Sequence, residues 1–225
     1  MTKFTAVVVA AGNGQRLGTD KTFLELVGKP LIAWPVDVLQ NSEHINEIIL
    51  VLHENKLDIG HNLTQKNRWS KVTAICAGGK RRQDSVRNGL FAINRSDWVL
   101  IHDGARPFLT EKLINDGIKA AAETGAAAAC TPVKDTIKLV DDNEIVTQTL
   151  NRNCLRAVQT PQVFRLEILK KAYELVSSAV IDDASLVEEA GYRVKLYPGD
   201  YENIKITTPD DLLLAEIIAR GRSKP

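Results

Sequence analysis

Phe4-Thr5-Ala6-Val7-Val8-Val9-Ala10 runs directly into Ala11-Gly12-Asn13-Gly14-Gln15-Arg16-Leu17-Gly18, with Lys21 just beyond. The apolar, β-branched opening reads as a buried strand. A glycine-rich turn at the end of such a strand presents backbone N–H groups to a phosphate. Arg16 and Lys21 add positive charge where a triphosphate would lie, unless they are ordinary surface cations. A dinucleotide fingerprint, G-x-G-x-x-G, needs glycine at position 17, where Leu17 stands. No acid sits about 20 residues further on, at the end of a second strand, to hold a ribose. The loop therefore favours a nucleoside triphosphate over a dinucleotide.

The same alternation continues along the chain. Leu31 to Leu39 reads as a helix, Ile45 to Leu52 and Val72 to Ala77 as strands. Asp84 to Ile93 reads as a helix with Val86, Leu90 and Ile93 on one face. Trp98 to His102 is a further strand, Thr110 to Glu123 a helix with Thr110 as its N-cap, and Ala126 to Thr131 a short strand of small residues. This order predicts an α/β fold with a mostly parallel sheet and helices on both faces. Ligands of such sheets bind at the carboxyl ends of the strands. The glycine loop, Gly78-Gly79 and His102-Asp103 are thus expected to meet at one rim.

The pattern breaks at Thr136–Val140 and Ile145–Thr149, which flank Asp141-Asp142-Asn143-Glu144 and read as a β-hairpin. Its alternating strands leave one face in need of cover, either from its own domain or from a second copy of the chain. Helices follow at Arg165–Ser177 and Asp182–Ala190, a strand at Arg193–Tyr197, and a last helix opened by Thr208-Pro209-Asp210-Asp211.

The 225 residues, 44% hydrophobic, suit one large domain. A net charge of +1 provides no broad basic field for nucleic acid or an anionic membrane. No apolar run is long enough to span a bilayer, and the opening residues lack a signal-peptide pattern, so cytoplasm is the expected compartment. Cys76, Cys130 and Cys154 are too scattered for a zinc or disulfide framework. His44, His53 and His61 show no metal-ligand spacing and read as surface residues.

Three further segments carry candidate chemistry. Gly78-Gly79-Lys80-Arg81-Arg82-Gln83-Asp84-Ser85 joins a strand to a helix; it fails the P-loop pattern and is either a ligand loop or a basic turn beside a capped helix. His102-Asp103-Gly104-Ala105-Arg106-Pro107 places an acid and an arginine at a buried strand's end, where charge needs a partner. Asp103 suits a divalent cation or a ribose hydroxyl and Arg106 a phosphate; a structural Asp–Arg pair is the alternative. Asn151-Arg152, Thr160-Pro161-Gln162 and Asn203-Ile204-Lys205 are each weak alone.

Taken in order, A-A-G-N-G-Q-R with Lys21, G-G-K-R-R-Q-D-S-V, H-D-G-A-R-P, P-V-K-D-T-I-K, N-R, T-P-Q, D-D-A-S and N-I-K-I-T-T-P-D-D-L span nearly the whole chain. The set resembles the 2-C-methyl-D-erythritol 4-phosphate cytidylyltransferases. The resemblance implies a single nucleotidyltransferase domain over residues 1–225, Rossmann-like, with a β-arm at about 134–155 used for homodimerisation. It implies transfer of a cytidylyl group from CTP to a polyol phosphate, with release of pyrophosphate and the help of Mg²⁺. It assigns catalysis to Arg16, Lys21, Arg152 and Lys205. The CTP site would comprise Ala11, Gly12, Gly14, Arg16, Lys21, Gly79, Arg82, Ser85 and Asp103. Asp103, Arg106, Thr136, Arg152, Thr160 and Lys205 would hold the polyol phosphate, and Asp103 would contact the metal. Two positions depart from the family: Asp20 replaces a frequent proline before Lys21, and Ile181 replaces a threonine before D-D-A-S. The second bears on the choice of polyol, so ribitol 5-phosphate is the alternative acceptor, and a noncatalytic CTP-binding module the alternative class.

Overall fold

The computed structural model describes residues 2–12 and 21–222, with Lys21 described in its backbone alone. The first half comprises β1 (Phe4–Ala10), β2 (Glu25–Leu26), β3 (Lys29–Pro30), α1 (Ala33–Asn41), β4 (Glu47–Leu52), α2 (Leu57–Asn67), β5 (Val72–Ala77), α3 (Arg82–Phe91) and β6 (Trp98–Asp103). Then follow α4 (Glu111–Thr124), β7 (Ala126–Pro132), β8 (Lys138–Val140), β9 (Val146–Thr149), β10 (Arg156–Arg165), α5 (Leu166–Leu175), α6 (Asp183–Glu189), β11 (Lys195–Pro198) and α7 (Pro209–Arg222).

Seven strands form one sheet in the order β11-β7-β10-β6-β1-β4-β5. β1 lies between β4 and β6, parallel to both, and β10 pairs antiparallel with β6 and β7. The period-2 alternation of β1 sorts its side chains between two cores. Ala6 and Val8 pack with α1 and α4 on one face; Val7 packs with α3, α5 and α6 on the other. A smaller core of Leu26, Leu31, Phe108 and Ile206 seats α7 through Ala215 and Ala219. The expected Thr110 cap forms, its Oγ1 accepting from Leu113 N at 3.2 Å; Asp182, expected inside its helix, instead caps it, its Oδ1 accepting from Ser185 N at 2.9 Å.

The sheet is mostly parallel, as expected; its antiparallel member is β10, an unanticipated ten-residue strand. Pro161 sits in its middle after a cis Thr160–Pro161 bond, and its register shifts between Val158 and Gln162. Proline within a strand needs such an irregularity, since it donates no ladder hydrogen bond. Helix α2 was also unanticipated: Gly60 is its one buried residue, so its sequence carries little apolar stripe. No helix among the described residues is long and apolar enough to cross a membrane.

The hairpin β8–β9 forms as expected, with Leu139 paired to Gln148 and Val140 to Val146. It does not fold back on its own domain. Leu139, Val140, Ile145 and Val146 are 45–63% exposed. Its base is pinned by Arg152 Nη1, which donates to Lys134 O at 2.8 Å, and by Lys134 Nζ lying 3.7 Å above the Tyr201 ring.

Candidate functional site

The carboxyl ends of β1, β4, β5 and β6 open onto a cleft of about 710 Å³. Ala11 and Gly12 line it after β1, His53 and Glu54 after β4, Gly78 and Gly79 after β5, and Asp103 and Ala105 at the end of β6. Lys80, Arg81, Arg82 and Ser85 contribute from the start of α3, and Lys205 and Thr207 from the segment before α7. The expected convergence of the three strand-end segments is what the fold produces. Gly14 and Arg16 lie outside the described residues, as do Asp20 and the side chain of Lys21. His53, expected at the surface, is half-buried and lines the cleft; its Nδ1 accepts from Asn55 N at 3.3 Å.

Gly78 is needed where β5 turns into the α3 loop. A Cβ there would fall 2.2 Å from Ala11 Cβ and 2.7 Å from Ser85 Oγ. The segments after β1 and β5 therefore approach each other through a position that no side chain can occupy. Ser85 ties the turn together: its Oγ accepts from Gly79 N at 3.0 Å and donates to Arg81 O at 3.1 Å.

Asp103 is the electrostatic centre. Its Oδ1 accepts from Arg82 Nε at 3.0 Å, its Oδ2 from Lys205 Nζ at 2.8 Å, and Arg106 Nε stands 3.8 Å from Oδ2. Burial by itself would raise this carboxyl, but Arg82, Lys205 and Arg106 outweigh burial and hold it well below the usual carboxylate range. Arg82 is also shared. Its Nη1 donates to Asp183 Oδ2 at 2.7 Å. Burial opposes its charge, while Asp183 and Asp103 together raise its already high affinity for the proton.

Behind Asp103 lies a closed hydrogen-bond chain. His102 Nε2 is 3.0 Å from Arg106 O, an oxygen that only accepts, so Nε2 carries the proton. Nδ1 then accepts from the Thr160 hydroxyl at 3.1 Å, and Thr160 Oγ1 accepts from Asp103 N at 3.1 Å. Burial lowers the His102 pKa to about 4, which keeps the ring neutral. Thr160, expected on the polyol phosphate, is 3% exposed with its hydroxyl engaged on both sides. It orients Asp103 from below. Arg106, expected to grip a phosphate, donates through Nη1 to Asn203 O at 2.7 Å and faces Asp103, as in a structural Asp–Arg pair.

Thr136 and Arg152 belong to the hairpin arm and do not line the cleft within one chain. Ile181 is 92% exposed and does not line the cleft either. Asp183 and Tyr173 were not anticipated as part of the charged network. D-D-A-S was visible as a motif, but nothing in its spacing pairs its second acid with Arg82.

The described residues do not fit a protein-held metal. Asp103, the expected contact, already has a cation on each oxygen. No group of three His, Cys, Asp or Glu side chains that could hold a metal occurs among the described residues. The arrangement instead suits a polyanion: a cleft with glycine backbone at one side and cations on its floor.

The family model described as "IspD: 2-C-methyl-D-erythritol 4-phosphate cytidylyltransferase" matches residues 4–221. A Dehalococcoides mccartyi 2-C-methyl-D-erythritol 4-phosphate cytidylyltransferase is 49% identical over 219 residues, covering 97% of this chain and 96% of that protein. One from Geobacillus thermodenitrificans is 46% identical over 224 residues, covering 97% and 98%. Among solved structures, the 4-diphosphocytidyl-2C-methyl-D-erythritol synthase of Anaerococcus prevotii superposes with a TM-score of 0.86 at 32% identity, over 97% of this chain and 99% of that one.

Proposed function

This chain belongs to the 2-C-methyl-D-erythritol 4-phosphate cytidylyltransferase family, and on that premise we propose how its cleft joins CTP to 2-C-methyl-D-erythritol 4-phosphate. A phosphate oxygen of the polyol attacks the α-phosphorus of CTP. The new P–O bond forms as the bond to the β-phosphate oxygen breaks, and pyrophosphate leaves with that electron pair. The observation that carries this reading is the composition of the cleft floor: Arg82 and Lys205 on one buried carboxylate, beside an imidazole that is buried, neutral and bonded at both nitrogens.

The groups on this floor offer charge, and the buried imidazole, held at both nitrogens, offers no base. A phosphate monoester needs none, because its second pKa near ~6 leaves it largely dianionic at neutral pH. What the reaction requires is alignment of two anions and neutralisation of the charge that develops on the bridging oxygen. Ala11, Gly12, Gly79 and Ser85 surround the nucleotide. Lys205 turns from Asp103 toward phosphate oxygens, and the roles that the family resemblance assigns to Arg16 and Lys21 are to stabilise charge on the triphosphate. Magnesium, when bound, would be carried by CTP rather than by a set of protein ligands, since the described residues provide no such set, and it would help neutralise the triphosphate.

The arm supplies the remaining contacts between subunits. Thr136 and Arg152 stand at the base of a hairpin whose exposed apolar residues need a covering surface, and a second copy provides both the cover and a cleft to receive them. Pyrophosphate release with CTP, Mg²⁺ and 2-C-methyl-D-erythritol 4-phosphate, run beside ribitol 5-phosphate, tests the assignment. Release with the first acceptor alone is expected. Release with ribitol 5-phosphate alone moves the acceptor assignment, and no release with either overturns it.

A further inference from the structure

The reaction above leaves one buried acid without a task. Asp183, the first residue of α6, is 1% exposed. It neither lines the cleft nor caps its helix, since Asp182 is the cap. Both of its oxygens are nevertheless engaged: Oδ2 accepts from Arg82 Nη1 at 2.7 Å, and Oδ1 from the Tyr173 hydroxyl at 2.9 Å. Tyr173 is fixed in turn by the core beneath α5, against which its ring packs. Burial and the neighbouring Asp183 both raise the Tyr173 pKa, so its hydroxyl remains a donor.

An ionised carboxylate is costly to bury unless it is paired and hydrogen-bonded. Here the pairing constrains a guanidinium that lines the cleft. Arg82 is planar, and two of its edges are used: Nε points to Asp103 and Nη1 to Asp183. Nη2 is buried without a hydrogen-bond partner among the described residues. Two carboxylates on different elements therefore define the plane and distance of the guanidinium before any ligand arrives. Without Asp183, only the Asp103 contact would restrain a long, flexible side chain beside a polyanion. Lys205, with 37% of its side chain exposed and Asp103 as its carboxylate partner, is by contrast able to exchange that partner for a phosphate.

We propose that Asp183, backed by the Tyr173 hydroxyl, is a positioning residue that holds the Arg82 guanidinium against Asp103 as a fixed charge on the floor of the cleft. The kinetic consequence rests on the cytidylyltransferase reading. The geometric consequence does not, which allows the two to fail separately.

The experiment is a double-mutant cycle on kcat and KM for CTP, with pyrophosphate release as the signal. Asp183→Asn is expected to lower kcat about 10–100-fold, as for a small misplacement of a catalytic environment, and to change KM for CTP by less than about threefold. Tyr173→Phe is expected to lower kcat about threefold, the effect of one lost hydrogen bond. In an Arg82→Ala background neither substitution should lower kcat further, because the group to be positioned is gone. Equal losses in both backgrounds would overturn the proposal. Tyr173→Phe carries the cycle if Asp183→Asn does not fold.

Hydrogen exchange at the Arg82 Nε–H, followed by NMR on arginine-labelled protein, is independent of turnover. Protection is expected in the wild type and its loss in Asp183→Asn; retained protection in that variant would overturn the proposal. Loss of protection in a protein that turns over neither polyol phosphate would uphold the positioning role and refute the assigned reaction.

Discussion

His102 makes stability depend on pH in a calculable way. Its ring is fully buried, and its pKa is lowered from 6.5 to about 4. The unfolded chain therefore binds a proton over an interval in which the folded chain does not. Stability rises with pH wherever the unfolded state holds more protons. The contribution is fully present above the unfolded pKa of 6.5 and is lost as pH falls through that value toward about 4. At about 1.36 kcal/mol per unit, the complete loss is about 3 kcal/mol, of which about 2 kcal/mol is lost between about pH 7.5 and about pH 5. Structurally, protonated Nδ1 would face Thr160 Oγ1, forcing that hydroxyl to abandon its own donation at 3.1 Å. His102→Gln retains a donor for Arg106 O and does not titrate. Urea melts of both proteins at matched pH provide the measurement, with the difference in slope isolating His102 from the carboxylates. Parallel loss of stability by both over this interval would refute the account of a buried neutral imidazole.

Three other outcomes are expected. Lys205→Ala should retain its fold and lose about 10²–10³ in kcat, the scale of one removed transition-state donor; near wild-type initial rates would remove Lys205 from the mechanism. Gly89→Ala should cost about 1–3 kcal/mol by overpacking, since its Cβ would lie 2.5 Å from Val7 Cγ1 and 2.9 Å from Val51 Cγ2; an unshifted melting temperature would show that α3 yields freely. Leu139→Glu with Ile145→Glu alters side chains that are 46% and 63% exposed, so the monomer fold should survive while sedimentation shifts to a smaller species and turnover falls. Unchanged sedimentation would sink the arm interface.

Strands that are continuous apolar and β-branched runs were legible in the sequence because that composition suits a packed sheet. Phe4–Ala10 and Val72–Ala77 were anticipated residue for residue. α4 was legible through its cap and stripe, beginning after Thr110 as expected. β10 was not, because Pro161 and Arg156 disguise a strand whose burial is confined to its second half. The site followed the same division. Residues on strand-end loops converge because the topology requires it, so Gly12, Gly79 and Asp103 were readable from position alone. The Asp183–Arg82 pair was not, because it joins the starts of two helices brought together by packing on the far face of the sheet. His102 carried no spacing signal; its role emerges from a hydrogen-bond chain closed through Thr160.

The unanticipated strand explains how one of the three weak motifs reaches the cleft. Asn203-Ile204-Lys205 lies beyond the sheet, on a segment with no regular structure. Asn203 is fully buried, and its Nδ2 donates to Thr160 O at 2.8 Å, while its own carbonyl takes Arg106 Nη1 at 2.7 Å. Ile206 N donates to Ala105 O at 2.9 Å. Gln159 Nε2 fixes the approach to this segment through Asp200 O at 2.9 Å. The backbone on both sides of Lys205 is thus anchored, first to β10 and then to the turn after β6, before the ammonium reaches Asp103 at 2.8 Å. Thr160 serves both anchors: its hydroxyl sets the Asp103 backbone and its carbonyl sets Asn203. Antiparallel β10 is therefore the element that places a lysine from the C-terminal segment opposite a carboxylate from the parallel half of the sheet. Its irregular course at Thr160–Pro161 is part of the architecture of the charged cleft.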